Sequence, residues 1–290
     1  MTIEKGLTNH QISQYDKEGY TAPVDLISVN KAKELRRAVF EHISGKRASE
    51  RYELTDEFSV GTVIDDLGEK KLEYTSGGES EDLHTFPFLI NLWKWDQRFK
   101  EVAMDPKIAG MARQLLGAEK VLLMEDNVVV KNPGSKTLPW HQDFSYWPLK
   151  DPEAVTVWIA LDEIDKSNGG MQIVPGSQVT GEHLPVWFKD GMPFLEKERK
   201  LPAVPQDPEN EGFNIINYKL SPGQGGFHHP LVWHGSPPNT SSEPRVVFVL
   251  RYVSYGSIWL GNSRMPYDDI GCKIGDKLTE EHFPLVECEF

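Results

Sequence analysis

Side chains suited to holding a metal are concentrated in two short runs of the chain. Trp140-His141-Gln142-Asp143 sets an imidazole and a carboxylate two residues apart, so on an extended strand both leave the same face. An isolated His-x-Asp is common and by itself fits a hydrogen-bonded surface pair better than a metal site. His234, in Leu231-Val232-Trp233-His234-Gly235-Ser236, supplies a third donor from a distant part of the chain. Two histidines and one aspartate match the facial triad of non-haem Fe(II) oxygenases, which leaves three positions of an octahedron open. The same donors around Zn(II) give a tetrahedral site with one open position, an arrangement for hydrolysis. His228 and His229 compete for the third place. His229 lies five residues before His234, so on a regular strand those two face opposite ways. His228, six before, shares the face, although Pro230 interrupts the count. A structural or ligand-supporting role is expected of both. His10 and His183, in polar surroundings, are expected in solvent.

Arg245 enters the apolar run Val246-Val247-Phe248-Val249-Leu250, where a charge needs a partner. Its guanidinium fork suits a carboxylate, either of a structural Asp or Glu or of a ligand. Arg251, of the same parity, is its rival. Phe144, Tyr146, Trp147 and Trp233 flank the metal runs, and each either lines a dry pocket beside the metal or is plain core.

These residues must be positioned by the elements around them. Residues 1–120 read as mainly helical. Thr8 and Gln11 form a capping box for a first helix that Gly19 stops, and Ser28 caps a second with Ala32, Leu35, Val39 and Ile43 on one face. Asp105-Pro106 starts a third, which ends before Gly117. Residues 45–85 read as a long surface loop. From Val121 onward short β-branched runs follow at Val121–Met124, Asn127–Lys131, Ala154–Leu161, Met171–Val174, Gly225–His229, Leu231–Trp233 and Val246–Tyr255. Short strands after a helical start predict a mainly β fold with flanking helices, a double-stranded β-helix or jelly roll of the cupin-like kind. One domain over 1–290 is expected, with helical support at 1–120, a core at 121–256 interrupted by an insertion at 181–220, and an extension at 257–290.

The chain carries 31 Lys and Arg against 44 Asp and Glu, a formal charge of −13, which speaks against nucleic acid or an anionic membrane as partner. Cys272 and Cys288 are too few for a disulfide framework and are expected as reduced thiols. No run of 18 apolar residues and no apolar signal core at the start point to a cytoplasmic protein, monomer or homodimer, with a small-molecule substrate.

Together these motifs resemble the phytanoyl-CoA dioxygenase family of Fe(II)- and 2-oxoglutarate-dependent oxygenases. The resemblance covers most of the chain: Leu7-Thr8 through Gly19-Tyr20, the run 140–143, Asn168-Gly169-Gly170, Pro175-Gly176-Ser177, and Phe227 to Ser236 followed by Asn239 and Arg245. It implies that His141, Asp143 and His234 hold Fe(II), and that Arg245 and Ser236 hold the far carboxylate of 2-oxoglutarate. It also implies that Trp158 lines the co-substrate pocket, and Asn127 is a candidate for the other end of the co-substrate. The implied reaction consumes O2 and releases succinate and CO2 while a substrate C–H is oxidised, most simply hydroxylated. The chain departs from the family at Gly223-Gln224, where Gly-Asp is usual, and its loops at 60–85 and 181–220 match nothing, so a CoA ester is not implied as substrate. Related halogenases have Gly or Ala in place of the carboxylate, so Asp143 points to hydroxylation or another oxidation. The alternatives are a jelly-roll protein that binds metal and ligand without turnover, and a zinc-type hydrolase or isomerase, whose activity would survive without oxygen.

Overall fold

In the computed structural model the described residues are 6–43, 89–186, 200–261 and 270–290, together with the backbone of 61–64, 70–73 and 88. Three helix starts fall where their caps place them. Thr8 accepts from the Gln11 amide, and Gly19 (φ 75°) closes α1, Asn9–Glu18. The Ser28 hydroxyl accepts from the Lys31 amide at the head of α2, Val29–Ile43. Asp105 caps α4, Pro106–Leu116, which ends at Gly117 (φ 59°). A further helix, α3 at Gln97–Ala103, is capped by Asp96 and was not foreseen from the sequence.

The strands form two antiparallel sheets. In the larger, β1 (Tyr20–Asp25), β10 (Gln224–His228), β7 (Ala154–Ala160), β12 (Arg245–Ser254), β5 (Val121–Lys131) and β13 (Leu285–Val286) lie side by side, and β4 (Phe88–Ile90) also pairs with β5. The smaller runs β6 (Leu138–His141), β11 (Trp233–Ser236), β8 (Gln172–Val174), β9 (Ile216–Asn217). A separate ribbon pairs β2 (Gly61–Ile64) with β3 (Lys70–Glu73), inside the stretch expected as loop. The jelly-roll expectation holds. The helical support at 1–120 also contributes β1 and β4, both members of the larger sheet. The extension after 257 supplies β13, which pairs with Leu122 and Val121 of β5.

Alternation divides the larger sheet into two faces. One carries Val128, Val130, Val157, Ile159, Val246, Phe248, Leu250 and Tyr252, and buries them under Leu35, Val39, Phe99, Val102, Ile108 and Met111 of the helices. Phe99 meets Phe248 edge-on at 5.1 Å, and the Tyr252 hydroxyl donates to the Ala103 carbonyl. The other face carries Val247, Val249, Trp158 and Ala160 in a cluster with Ile173 of the smaller sheet. The polar residues that matter lie on this inner face.

Candidate metal centre

The strand β6 ends at His141, and Asp143 is already helical (φ −65°, ψ −39°), the N-cap of a short 3-10 turn over Phe144–Tyr146. The two side chains thus converge because the chain turns, and not because they share a strand. His234 sits directly opposite His141 in the β6–β11 pairing, with the ring centroids 4.2 Å apart. One donor atom each from His141, Asp143 and His234 lies within 4.8 Å of the others, all three residues being buried.

Hydrogen bonds fix which atoms face the common point. Nδ1 of His141 donates to the Pro139 carbonyl at 2.7 Å and Nδ1 of His234 to the Val232 carbonyl at 3.1 Å. A carbonyl can only accept, so each Nδ1 carries the proton and each Nε2 keeps its lone pair. Burial pushes the imidazoles down, His141 to about 3 and His234 to about 4, so both are neutral imidazoles able to act as ligands. The Asp143 carboxylate accepts from the Thr156 hydroxyl (2.7 Å) and pairs with His228 Nε2 (3.1 Å), both at Oδ2. Oδ1 is left on the side of His234 Nε2, 3.7 Å away. Burial alone would raise this carboxyl; Arg251, His234 and His228 outweigh it and hold it well below the usual range. Two neutral imidazoles and one ionised carboxylate on one side of a buried site fit a divalent cation, and suit Fe(II) with open positions.

His228 and His234 do not share a strand. β10 belongs to the larger sheet and β11 to the smaller, and the chain crosses between them at 229–232, so the parity count does not apply. His228 reaches the site from the larger sheet through its contact with the Asp143 carboxylate. His183 is buried rather than solvated, its ring edge-on to Trp233 at 5.1 Å.

A cationic pole lies at one end of the inner face. Arg245 pairs with Lys131 across β12 and β5. Its Nη2 donates to the Gly169 carbonyl at 2.9 Å, and its guanidinium lies over Trp158, 5.5 Å from the ring centroid. Among the described residues no carboxylate makes a direct ion pair with Arg245, although Asp162, itself paired with Arg36, acts on it through space. Lys131, not singled out by the sequence, donates to Ser236 Oγ at 2.7 Å and to the Pro237 carbonyl. Burial and the neighbouring Arg245 push its ammonium down to about 6. Arg251 is the arginine that makes the ion pair, with Glu125, and its Nη2 stands 3.6 Å from Asp143 Oδ1. Asn127 lies between the poles in sequence, with Nδ2 donating to Glu125 Oε1 at 3.2 Å.

Of the aromatic candidates, Tyr146 meets the His141 ring edge-on at 6.1 Å, and Trp147 lies under the Arg251 guanidinium. Phe144 packs with Leu149, Leu122 and Met124. Trp233 points away from His234, as adjacent strand residues must, and packs with Trp140, Val174 and Val204. The aromatic residues Trp187, Phe188 and Phe194 of the insertion lie outside the described residues, as does most of 60–85. The start of the insertion is pinned to the metal run: Gln142 Nε2 donates to the Gly181 carbonyl and its Oε1 accepts from the His183 amide.

A profile of the phytanoyl-CoA dioxygenase family matches residues 15–247. L-proline trans-4-hydroxylase of Streptomyces griseoviridis is 31% identical over 165 residues, 51% of this chain and 59% of the hydroxylase, so the match spans little more than half of that relative. A probable phytanoyl-CoA dioxygenase of Caenorhabditis elegans is 23% identical over 86% of this chain and 76% of its own length. Among solved structures, the non-haem alpha-ketoglutarate-dependent carbocyclase SnoK from nogalamycin biosynthesis superposes with a TM-score of 0.69 at 20% identity, covering 97% of this chain and 96% of the other. The chain belongs to the phytanoyl-CoA dioxygenase family, and is a non-haem iron dioxygenase that depends on 2-oxoglutarate.

Proposed function

We propose that the protein hydroxylates an unactivated C–H of a small molecule: substrate C–H, O2 and 2-oxoglutarate give C–OH, succinate and CO2. The observation that carries this reading is the convergence of His141 Nε2, His234 Nε2 and Asp143 Oδ1 beside a buried cationic pole. Iron bound there supplies the activation of dioxygen coupled to oxidative decarboxylation of the co-substrate. The chain's share is positioning. His141, Asp143 and His234 hold the metal on one side, and Thr156 and His228 turn the carboxylate so that one oxygen faces it. Arg245, with Lys131 and Ser236, receives the far carboxylate of 2-oxoglutarate, and Trp158 packs along that end. The apolar belt of Val247, Val249 and Trp158 keeps water from the reacting atoms. A relative named for hydroxylating L-proline supports a small polar substrate, and the acidic surface suits a cytoplasmic enzyme that binds no nucleic acid.

Two measurements test the reading. Anaerobic titration of the Mn(II)-loaded protein with 2-oxoglutarate is expected to saturate, and Fe(II) with ascorbate and air is expected to yield succinate. His141→Ala or Asp143→Ala should abolish succinate formation while the circular dichroism spectrum is unchanged. Unchanged succinate production in either variant overturns the metal assignment, and activity that survives strict exclusion of oxygen overturns the oxygenase.

A further inference from the structure

The start of β12 is held from outside the site. Arg245 stands between two charged residues, and on one side Lys131 faces it from β5. On the other side the β7–β12 pairing sets Val247 against Ala160, and two residues further along each chain bring Asp162 level with Arg245. Hydrogen bonds carry that pairing past the end of β7. The Leu161 amide donates to the Val246 carbonyl at 3.1 Å, and the Val246 amide donates to Asp162 Oδ2 at 2.9 Å. The Asp162 carboxylate therefore fixes the backbone next to Arg245, and it also acts on the guanidinium through space.

Asp162 has a second cation. Its other oxygen, Oδ1, accepts from Arg36 Nε at 2.5 Å. Arg36 comes from α2, which packs Leu35 and Val39 against the helix side of the larger sheet, and its guanidinium lies over the Phe40 ring, 5.0 Å from the centroid. Burial raises the Asp162 carboxyl, while Arg36, the Val246 amide and Arg245 work the other way. Among the described residues Arg36 is the one cation within ion-pair distance of Asp162, and Glu163, next in the chain, accepts from the Ser221 hydroxyl instead. Charges thus run from the site outward through Lys131, Arg245, Asp162 and Arg36 as plus, plus, minus, plus. The Arg36 side chain is 33% exposed and that of Asp162 21%, so the outer pair is partly screened by solvent but still coupled. A carboxylate beside an arginine that must receive an anion opposes that anion, and a second cation on its far side cancels part of the opposition.

We propose that the Arg36–Asp162 pair sets the affinity of Arg245 for the far carboxylate of the co-substrate: Asp162 positions the start of β12 and draws on the guanidinium, and Arg36 holds that pull in check from α2. The inference rests on the reading above in which Arg245 receives that carboxylate. Both members of the pair are positioning residues, since they act through Arg245. They tie the helical layer to co-substrate selection, because the cancelled charge favours a 2-oxo acid with a second carboxylate over one without it. The two residues also act with opposite sign. Removing the cation uncovers the carboxylate and weakens the dianion, whereas removing the carboxylate strengthens it.

The test uses the full chain loaded with Mn(II), kept anaerobic near pH 8 at low ionic strength, with binding followed by calorimetry. The probes are 2-oxoglutarate and 2-oxopentanoate, which lacks the far carboxylate. Arg36→Met keeps an aliphatic stem beside Phe40 and is expected to weaken 2-oxoglutarate about 2- to 5-fold while leaving 2-oxopentanoate unchanged. Asp162→Asn keeps an acceptor for the Val246 amide and is expected to tighten 2-oxoglutarate about 2- to 5-fold. The double variant should match Asp162→Asn, because Arg36 acts only through that carboxylate. A purely structural pair predicts something else: both single variants lose affinity for both probes, and the double variant loses more. That pattern, or an unchanged 2-oxoglutarate affinity in Arg36→Met, overturns the inference. Arg245→Met separates this inference from the reading beneath it. If that variant binds 2-oxoglutarate as the wild type does, the assignment of Arg245 to the far carboxylate falls and takes the inference with it. If it binds more weakly and the Arg36 and Asp162 variants do not move with opposite sign, the assignment stands and the inference alone falls.

Discussion

At the scale of single residues, the orientation of Asp143 depends on two hydrogen bonds to one oxygen. Thr156→Val removes the 2.7 Å bond from the hydroxyl while keeping the shape. It is expected to lower Fe(II) affinity about 10- to 100-fold with little loss of stability, read by metal titration of the apo protein. Lys131 gives a second prediction. Burial and Arg245 hold its ammonium near 6, so at pH 7.5 the uncharged amine predominates in the free site. A bound carboxylate restores the charge, so 2-oxoglutarate binding should take up a proton. Calorimetry in two buffers of different ionisation enthalpy measures that proton. The affinity should weaken as pH rises from 7 to 9, and Lys131→Met should flatten the dependence. His141, Asp143, His234 and Arg245 were singled out in the sequence by the resemblance that several motifs carry together. Type and spacing alone left a surface pair and a structural salt bridge open, and the chain turns at Asp143 where an extended strand was expected. Lys131, Thr156 and Glu125 were not singled out, since their roles arise from pairing across β5, β7 and β12, and one strand's parity does not say which strand lies beside it. Trp233 was within reach of that parity: adjacent to His234, it had to face the other way.

At the scale of elements, close approach of strands sets the pocket wall. A Cβ at Gly225 of β10 would stand 2.4 Å from the Trp158 carbonyl and 2.5 Å from Leu26 Cδ1. Gly225→Ala must therefore push β10 from β7, at about 1–3 kcal/mol, which a thermal melt would show as a loss of several degrees. Trp158 moves with that strand, so the KM for 2-oxoglutarate should rise as well. Capped helices and long β-branched runs were readable in advance. Thr8 with Gln11, and Asp105-Pro106, each satisfy orphan amides by local chemistry. β6, β1 and α3 were not readable. β6 contains Pro139 and is only four residues long, and β1 contains Pro23; both are defined by their neighbours rather than by their own composition.

At the scale of the whole molecule, stability should depend on pH through the buried histidines. Burial holds His141 near 3, and His229 and His234 near 4, against an ordinary value of 6.5. The folded chain therefore leaves them neutral where the unfolded chain has already bound protons, and stability falls as pH drops through 6.5 toward 4. Asp126 opposes this by one proton. Burial raises it to about 7, so it keeps its proton in the folded state over the range where the unfolded chain has released it. The net difference near pH 5 is about two protons, a slope on the order of 2–3 kcal/mol per pH unit. Urea titrations of the EDTA-treated protein at pH 5 and 6 measure it, and a flat profile would contradict the burial of these imidazoles. One further consequence follows from β12. Arg245 and Arg251 stand on the same face of one unbroken strand, about 20 Å apart for six residues of extended chain. Because β12 pairs with β5 on one side and β7 on the other along this length, the separation of the two guanidinium groups is set by the backbone ladder and not by side-chain choice.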